Sequence, residues 1–192
     1  MSQVARVPGI LYVDDAIPGV DGYRARALAG GFASHNVDGQ TFHGIGPCLE
    51  PDALRAAIAQ VWPDATMGLT FFRLSPLGQV EPNYIHSDIG MGDWTAILYL
   101  NPHPPDGDGT AFWRHRATHA ISGAFIRASA EDLSQWDQWD YVPAKFNRLL
   151  LFKSHLFHSR AIAANYGEGD EARLIQVAFL DWPGPPEAIW LT

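Results

Sequence analysis

The spacing of apolar and polar residues changes character about a third of the way along the chain. Before residue 66 the rhythm is mostly helical. Residues 9–13 are a short β-branched and aromatic run that leaves through Asp14, Asp15 and Pro18 into a helix predicted over 18–28 and ended by Gly30 and Gly31. Residues 32–48, rich in Gly, Ser, Asn and His, read as an irregular connection with room for one short strand. Leu54, Ile58 and Val61 then recur at helical spacing, and Pro63 stops this second helix.

From Thr66 onward the pattern is one of short strands. Residues 67–74, 79–85, 94–100, 110–116, 146–152 and 173–180 are strand-like runs separated by turn residues, with Pro183 closing the last. Residues 129–139 open with Ser-Ala-Glu-Asp and predict a short capped helix with Trp136 and Trp139 on one face. Many short strands at this spacing predict an antiparallel jelly roll whose helices cover one outer face. The expected organisation is one mainly β domain over 1–192, with 1–65 as a helical support region and 66–182 as the β core.

Composition narrows the function. Apolar residues make up 47% and charged residues 18%, which fits a globular chain able to bury a core. Thirteen basic residues face 21 acidic ones, a net charge of −8 with no Lys/Arg run, so nucleic acid is a poor partner. The single cysteine, Cys48, excludes an intramolecular disulfide and a cysteine-based zinc framework. No apolar run is long enough to span a bilayer and no secretory h-region precedes Pro8, so a cytoplasmic location without membrane contact is expected.

The candidate chemistry lies in Tyr84-Ile85-His86-Ser87-Asp88. On an extended chain His86 and Asp88 point the same way and can share one ion, while Ser87 points off. His-x-Asp alone is common. Here it follows a strand, precedes a Gly-rich turn at Gly90 and Gly92, and is answered much later by His155 and His158 beyond another strand. Two imidazoles and a carboxylate suit octahedral iron(II) with three positions left open; the residues alone leave His155 and His158 both eligible.

His86-x-Asp88, His158 at the end of Lys153-Ser154-His155-Leu156-Phe157-His158, and Arg173 on the closing strand resemble the His-x-Asp…His…Arg pattern of iron(II)- and 2-oxoglutarate-dependent dioxygenases, most of all the prolyl-hydroxylase-like branch. The resemblance covers about residues 66–182 and its register selects His158. It implies a double-stranded β-helix of cupin-like type, a 2-oxoglutarate cosubstrate and oxidation of an unactivated C–H bond. Hydroxylation of an amino-acid-like small molecule or a peptidyl residue is the expected activity. The alternatives are a divalent-metal hydrolase or isomerase, or a non-catalytic metal-binding jelly roll.

Arg173 tests the cosubstrate. Arg173, Ile175, Val177 and Phe179 share one face of the last strand, so the guanidinium projects inward among apolar residues, where it needs an anion. The bland alternative is a strand-end residue paired with Glu171. Tyr99 is a candidate donor to the same cosubstrate carboxylate. Arg114, His115, Arg116 and His119 form a basic cluster, and Arg114, His115 and Trp136 are taken as candidate substrate contacts. The substrate itself and the oligomeric state are not legible at this level.

Overall fold

A computed structural model describes residues 3–7, 9–37, 39–81, 84–124 and 126–182. Eleven strands and two helices make up the fold among these residues. They are β1 (Gln3–Val7), β2 (Ile10–Val13), α1 (Val20–Ala29), β3 (Ala33–Val37), β4 (Gln40–Pro47), α2 (Asp52–Val61), β5 (Thr66–Ser75), β6 (Trp94–Tyr99), β7 (Gly109–His115), β8 (Trp136–Pro143), β9 (Leu149–Lys153), β10 (His158–Arg160) and β11 (Arg173–Asp181). Pro183 lies outside the described residues.

The strands form two antiparallel sheets, a large one in the order β1-β2-β9-β6-β11-β5-β4-β3 and a small one in the order β10-β7-β8. Side-chain alternation decides what each face of the large sheet meets. Trp94, Ala96 and Leu98 of β6 and Leu174, Ala178 and Leu180 of β11 pack with Tyr23 of α1 and Leu54 and Ile58 of α2. The opposite face meets the small sheet: Tyr99, Leu150, Phe152 and Ile175 pack with Phe112 and Val142. The run Leu149-Leu150-Leu151-Phe152 is wholly apolar because β9 is buried on both faces.

Both predicted helices are present, but the first 65 residues are not only a helical support. They add four strands to the large sheet. Residues 32–48, expected to be an irregular connection, form the β3–β4 hairpin. Every residue of β3 is exposed, so no alternation marked it in the sequence. At Gly44 a bulge interrupts the hairpin, with φ at 67°, and a Cβ there would lie 1.9 Å from the Leu74 carbonyl oxygen. Because of the bulge, Phe42 and Ile45, three apart, both reach the interior.

A second correction concerns residues 129–139. Asp132 does accept a hydrogen bond from the Ser134 amide, but it caps only a single 3-10 turn, Leu133–Gln135. Trp136 and Trp139 belong to strand β8 instead. Phe112 pairs with Asp140 and Trp113 with Gln138, which leaves Trp139 as the extra residue of a bulge. Trp136 packs on Phe157 and Trp139 on Phe112. Of the strand expected over 79–85, residues 79–81, 84 and 85 form no strand and lead to a single bridge at His86, while residues 82 and 83 lie outside the described residues.

Candidate metal centre

The His86 segment is held like an added strand on the open edge of the small sheet. The His86 amide donates to the His158 carbonyl at 3.0 Å, and the His158 amide donates to the His86 carbonyl at 2.8 Å. The Asp88 amide donates to the Ser154 carbonyl at 2.8 Å, and the Ser87 hydroxyl, pointing away, donates to the Gly123 carbonyl at 2.7 Å. Two distant stretches are thereby locked in register. His86, Asp88 and His158 each turn a ligand atom to the same point, all within 4.8 Å of one another.

The donors are arranged for a cation. His86 Nδ1 lies 3.1 Å from the Tyr84 carbonyl oxygen and His158 Nδ1 lies 2.9 Å from that of Leu156. Each carbonyl is placed to accept a proton from Nδ1, the tautomer that would leave Nε2 with its lone pair free for a metal. Nε2 of His86 is 3.7 Å from Asp88 Oδ1, and Nε2 of His158 is 3.4 Å from Asp88 Oδ2. Such separations are close to the ~3 Å edge of an octahedron with metal–ligand bonds of about 2.1 Å.

Protonation states also fit. Burial, aided by the neighbouring His158 ring, pushes the His86 imidazole down to about 4, so it is neutral at pH 7. For Asp88, burial acts to raise the carboxyl, but the two imidazoles and the Thr95 hydroxyl outweigh it and hold the group at about 2. A neutral His86 imidazole beside an ionised Asp88 carboxylate offers two donors that need no proton released before binding.

Thr95 is a residue that the sequence did not single out. Its hydroxyl donates to Asp88 Oδ2 at 2.8 Å and lies 3.0 Å from the Ser154 hydroxyl, which fixes the carboxylate plane. Thr95→Val keeps the shape and removes the donor; metal affinity is expected to fall about 10–100-fold, read by titration of the apo protein with nickel(II).

These groups open onto a cavity of about 500 Å³ between the sheets. The face of β11 named from the sequence lines it: Arg173, Ile175, Val177 and Phe179 all point in. Arg173 is 4% exposed and gives Nε to Asp108 Oδ1 at 2.9 Å, while its two Nη groups make no hydrogen bond among the described residues. The expected alternative partner, Glu171, is not the one it uses. Asp108 is held by the Gly109 amide at 2.7 Å and the Tyr166 hydroxyl at 2.7 Å. Burial opposes the charge on Arg173, and Asp108 more than offsets it.

Tyr99 does not reach the cavity. It is fully enclosed and its hydroxyl shares a 2.7 Å hydrogen bond with that of Thr110, which does line the cavity beside Arg173. Arg114, His115 and Trp136 are not at the cavity either. Arg114 is exposed, His115 bonds Thr118, and the Trp136 indole donates to the Ser129 carbonyl in a separate cluster with Ile85 and Phe157. His155 lies apart from the ligand cluster, in a recess with Lys153 and Asp93.

Three further charged groups at the cavity went unread. Glu81 is almost fully enclosed and pairs with both Arg73, at 2.9 Å, and Arg160, at 3.3 Å. Arg73 stands in Phe-Phe-Arg-Leu, and a lone charge inside an apolar strand was the available signal. Glu81 also accepts from the Ser75 hydroxyl at 2.6 Å, which ties the loop leading to His86 onto β5.

No helix among the described residues is long and apolar enough to cross a membrane. No family model and no curated protein matches the chain. Solved structures do match in fold. The epimerase SnoN, in complex with Fe3+, alpha ketoglutarate and nogalamycin RO, is 15% identical at a TM-score of 0.59, over 90% of this chain and 78% of its own. AviO1 from Streptomyces viridochromogenes Tue57 is 14% identical at 0.58, over 93% and 91%. HygX from Streptomyces hygroscopicus, with nickel, 2-oxoglutarate and hygromycin B bound, is 15% identical at 0.53, over 91% and 83%. The chain therefore has the double-stranded β-helix fold of these proteins, with the His86, Asp88 and His158 cluster set between its two sheets.

Proposed function

We propose that the chain is an iron(II)- and 2-oxoglutarate-dependent oxygenase that oxidises a C–H bond of a small molecule. The observation that carries this reading is one cavity holding both a two-imidazole, one-carboxylate cluster and, further along β11, a buried guanidinium with unengaged Nη groups. A hydrolase or isomerase that works on the same three ligands without 2-oxoglutarate has no use for that guanidinium. The neighbours of this fold that carry iron or nickel with 2-oxoglutarate support the choice of metal and cosubstrate.

His86, Asp88 and His158 would cover three adjacent positions of the ion and leave the other three toward the cavity. Bound there, iron(II) and 2-oxoglutarate supply the oxidising power of dioxygen, with succinate and carbon dioxide as coproducts. Arg173 would take the far carboxylate through its Nη pair, held rigid by Asp108, and the Thr110 hydroxyl would add one donor. Ile97, Ile175 and Val177 form an apolar floor that keeps water from the reacting centre.

The same fold serves an epimerase and a carbocyclase by name, so the outcome of oxidation follows from how the substrate is placed. Hydroxylation is the simplest outcome. The test is succinate formation from 2-oxoglutarate by the iron(II)-loaded protein in air with ascorbate. The parent is expected to produce succinate, and His86→Ala and Arg173→Ala to lose it. A parent that neither forms succinate nor binds 2-oxoglutarate would overturn the reading.

A further inference from the structure

One wall of the cavity is apolar and aromatic. β4, β5 and β11 turn Phe42, Phe71, Val177 and Phe179 into it, and Ile89 and Met91 stand at its mouth, 56% and 48% exposed. Exposed apolar side chains that continue a concave apolar wall are a ligand surface rather than scattered surface residues.

The charged groups of the cavity are balanced. Arg73, Arg160 and Arg173 line it with Glu81 and Asp88, and Asp108, paired with Arg173, is the third carboxylate against the three guanidinium groups. Metal-bound imidazoles add no charge. Under the oxygenase reading, on which this inference rests, a divalent ion and a dianionic cosubstrate cancel each other as well. Any net charge on the substrate would then enter a largely desolvated space with nothing to oppose it.

Nor is a partner free for an ammonium group. Glu81 already accepts from Ser75, Gln79 and Arg160 and pairs with Arg73, Asp108 accepts from Arg173, Tyr166 and Gly109, and Asp88 would serve the metal and accepts from Thr95. Beyond the Arg173 Nη groups assigned to the cosubstrate, two enclosed donors at the cavity are left over: Nε of Arg73, whose Nη2 pairs with Glu81, and Nε of Arg160, neither with an acceptor among the described residues. We infer that the substrate is an uncharged, largely apolar and aromatic small molecule carrying a hydroxyl or carbonyl oxygen for the guanidinium of Arg73 or Arg160. This departs from the amino-acid-like substrate suggested by the sequence.

The experiment is calorimetric titration of the protein loaded with nickel(II) and 2-oxoglutarate, using three probes on one ring frame: 2-naphthol, 2-naphthoate and 2-naphthylmethylammonium. The neutral probe is expected to bind at least ten-fold more tightly than either ion. Phe71→Asp, which puts a carboxylate on the apolar wall, is expected to abolish 2-naphthol binding while nickel and 2-oxoglutarate still bind. If either ion binds as well as 2-naphthol, or none of the three binds, the inference is overturned while the oxygenase reading stands. If nickel and 2-oxoglutarate themselves fail to bind, the oxygenase reading falls and takes the inference with it.

Discussion

Asp88→Ala is expected to lower divalent-metal affinity by more than ~100-fold, beyond the loss typical of removing a supporting hydrogen bond. Asp88 is the one anionic donor of the three, and it is already ionised and oriented before the ion arrives. Alanine leaves two neutral imidazoles, which hold an iron(II) ion only weakly. The backbone stays anchored, because the link to Ser154 is made by the residue 88 amide and not by the side chain. The measurement is an anaerobic iron(II) titration of parent and variant. Affinity within ten-fold of the parent would mean that the ion sits elsewhere.

Asp108→Ala is expected to cost about 3–5 kcal/mol of folding stability, the range for stripping one partner from a buried ion pair. The variant leaves the Arg173 guanidinium enclosed without a counter-charge and also orphans the Tyr166 hydroxyl and the Gly109 amide. Urea unfolding of the apo protein reads the loss directly. The double variant Asp108→Leu with Arg173→Met removes both charges together and is expected to recover most of that stability, at the expense of 2-oxoglutarate binding. A loss below about 1 kcal/mol for Asp108→Ala would show that the pair is not formed in solution.

What the sequence revealed about this site follows from regular periods. His86 and Asp88 are two apart on extended chain, and Arg173, Ile175, Val177 and Phe179 keep strict alternation on β11; in both places the side chains point as a period of two requires. The choice of His158 over His155 needed the resemblance, because spacing alone treats the two alike. Where a bulge intrudes, the period fails. Trp136 and Trp139 are three apart and both face inward, which imitates a helical face, and Phe42 and Ile45 do the same on β4.

The other omissions have electrostatic and solvent causes. Asp108 lies in a Pro-Asp-Gly-Asp-Gly turn, and nothing local distinguishes a carboxylate that will be buried against Arg173 from one that stays in water. Glu81 acquires its meaning only when β5 and β10 bring Arg73 and Arg160 to it. β3 carries no apolar face at all, so its place at the sheet edge is set by its partner β4.

The strand order of the large sheet bears on how the chain is made. β11 lies between β6 and β5, so a strand synthesised after both, and after every other strand among the described residues, is the one that joins the two halves of that sheet. Until Arg173–Asp181 has left the ribosome, both flanking strands present unpaired edges, the kind of surface on which nascent chains aggregate. Pairing over such sequence distances also places folding in the slow regime of non-local β proteins. Arg173 opens that same strand, so completion of the sheet and arrival of the cavity's enclosed cation are one event, and a nascent chain that stops short of it has neither.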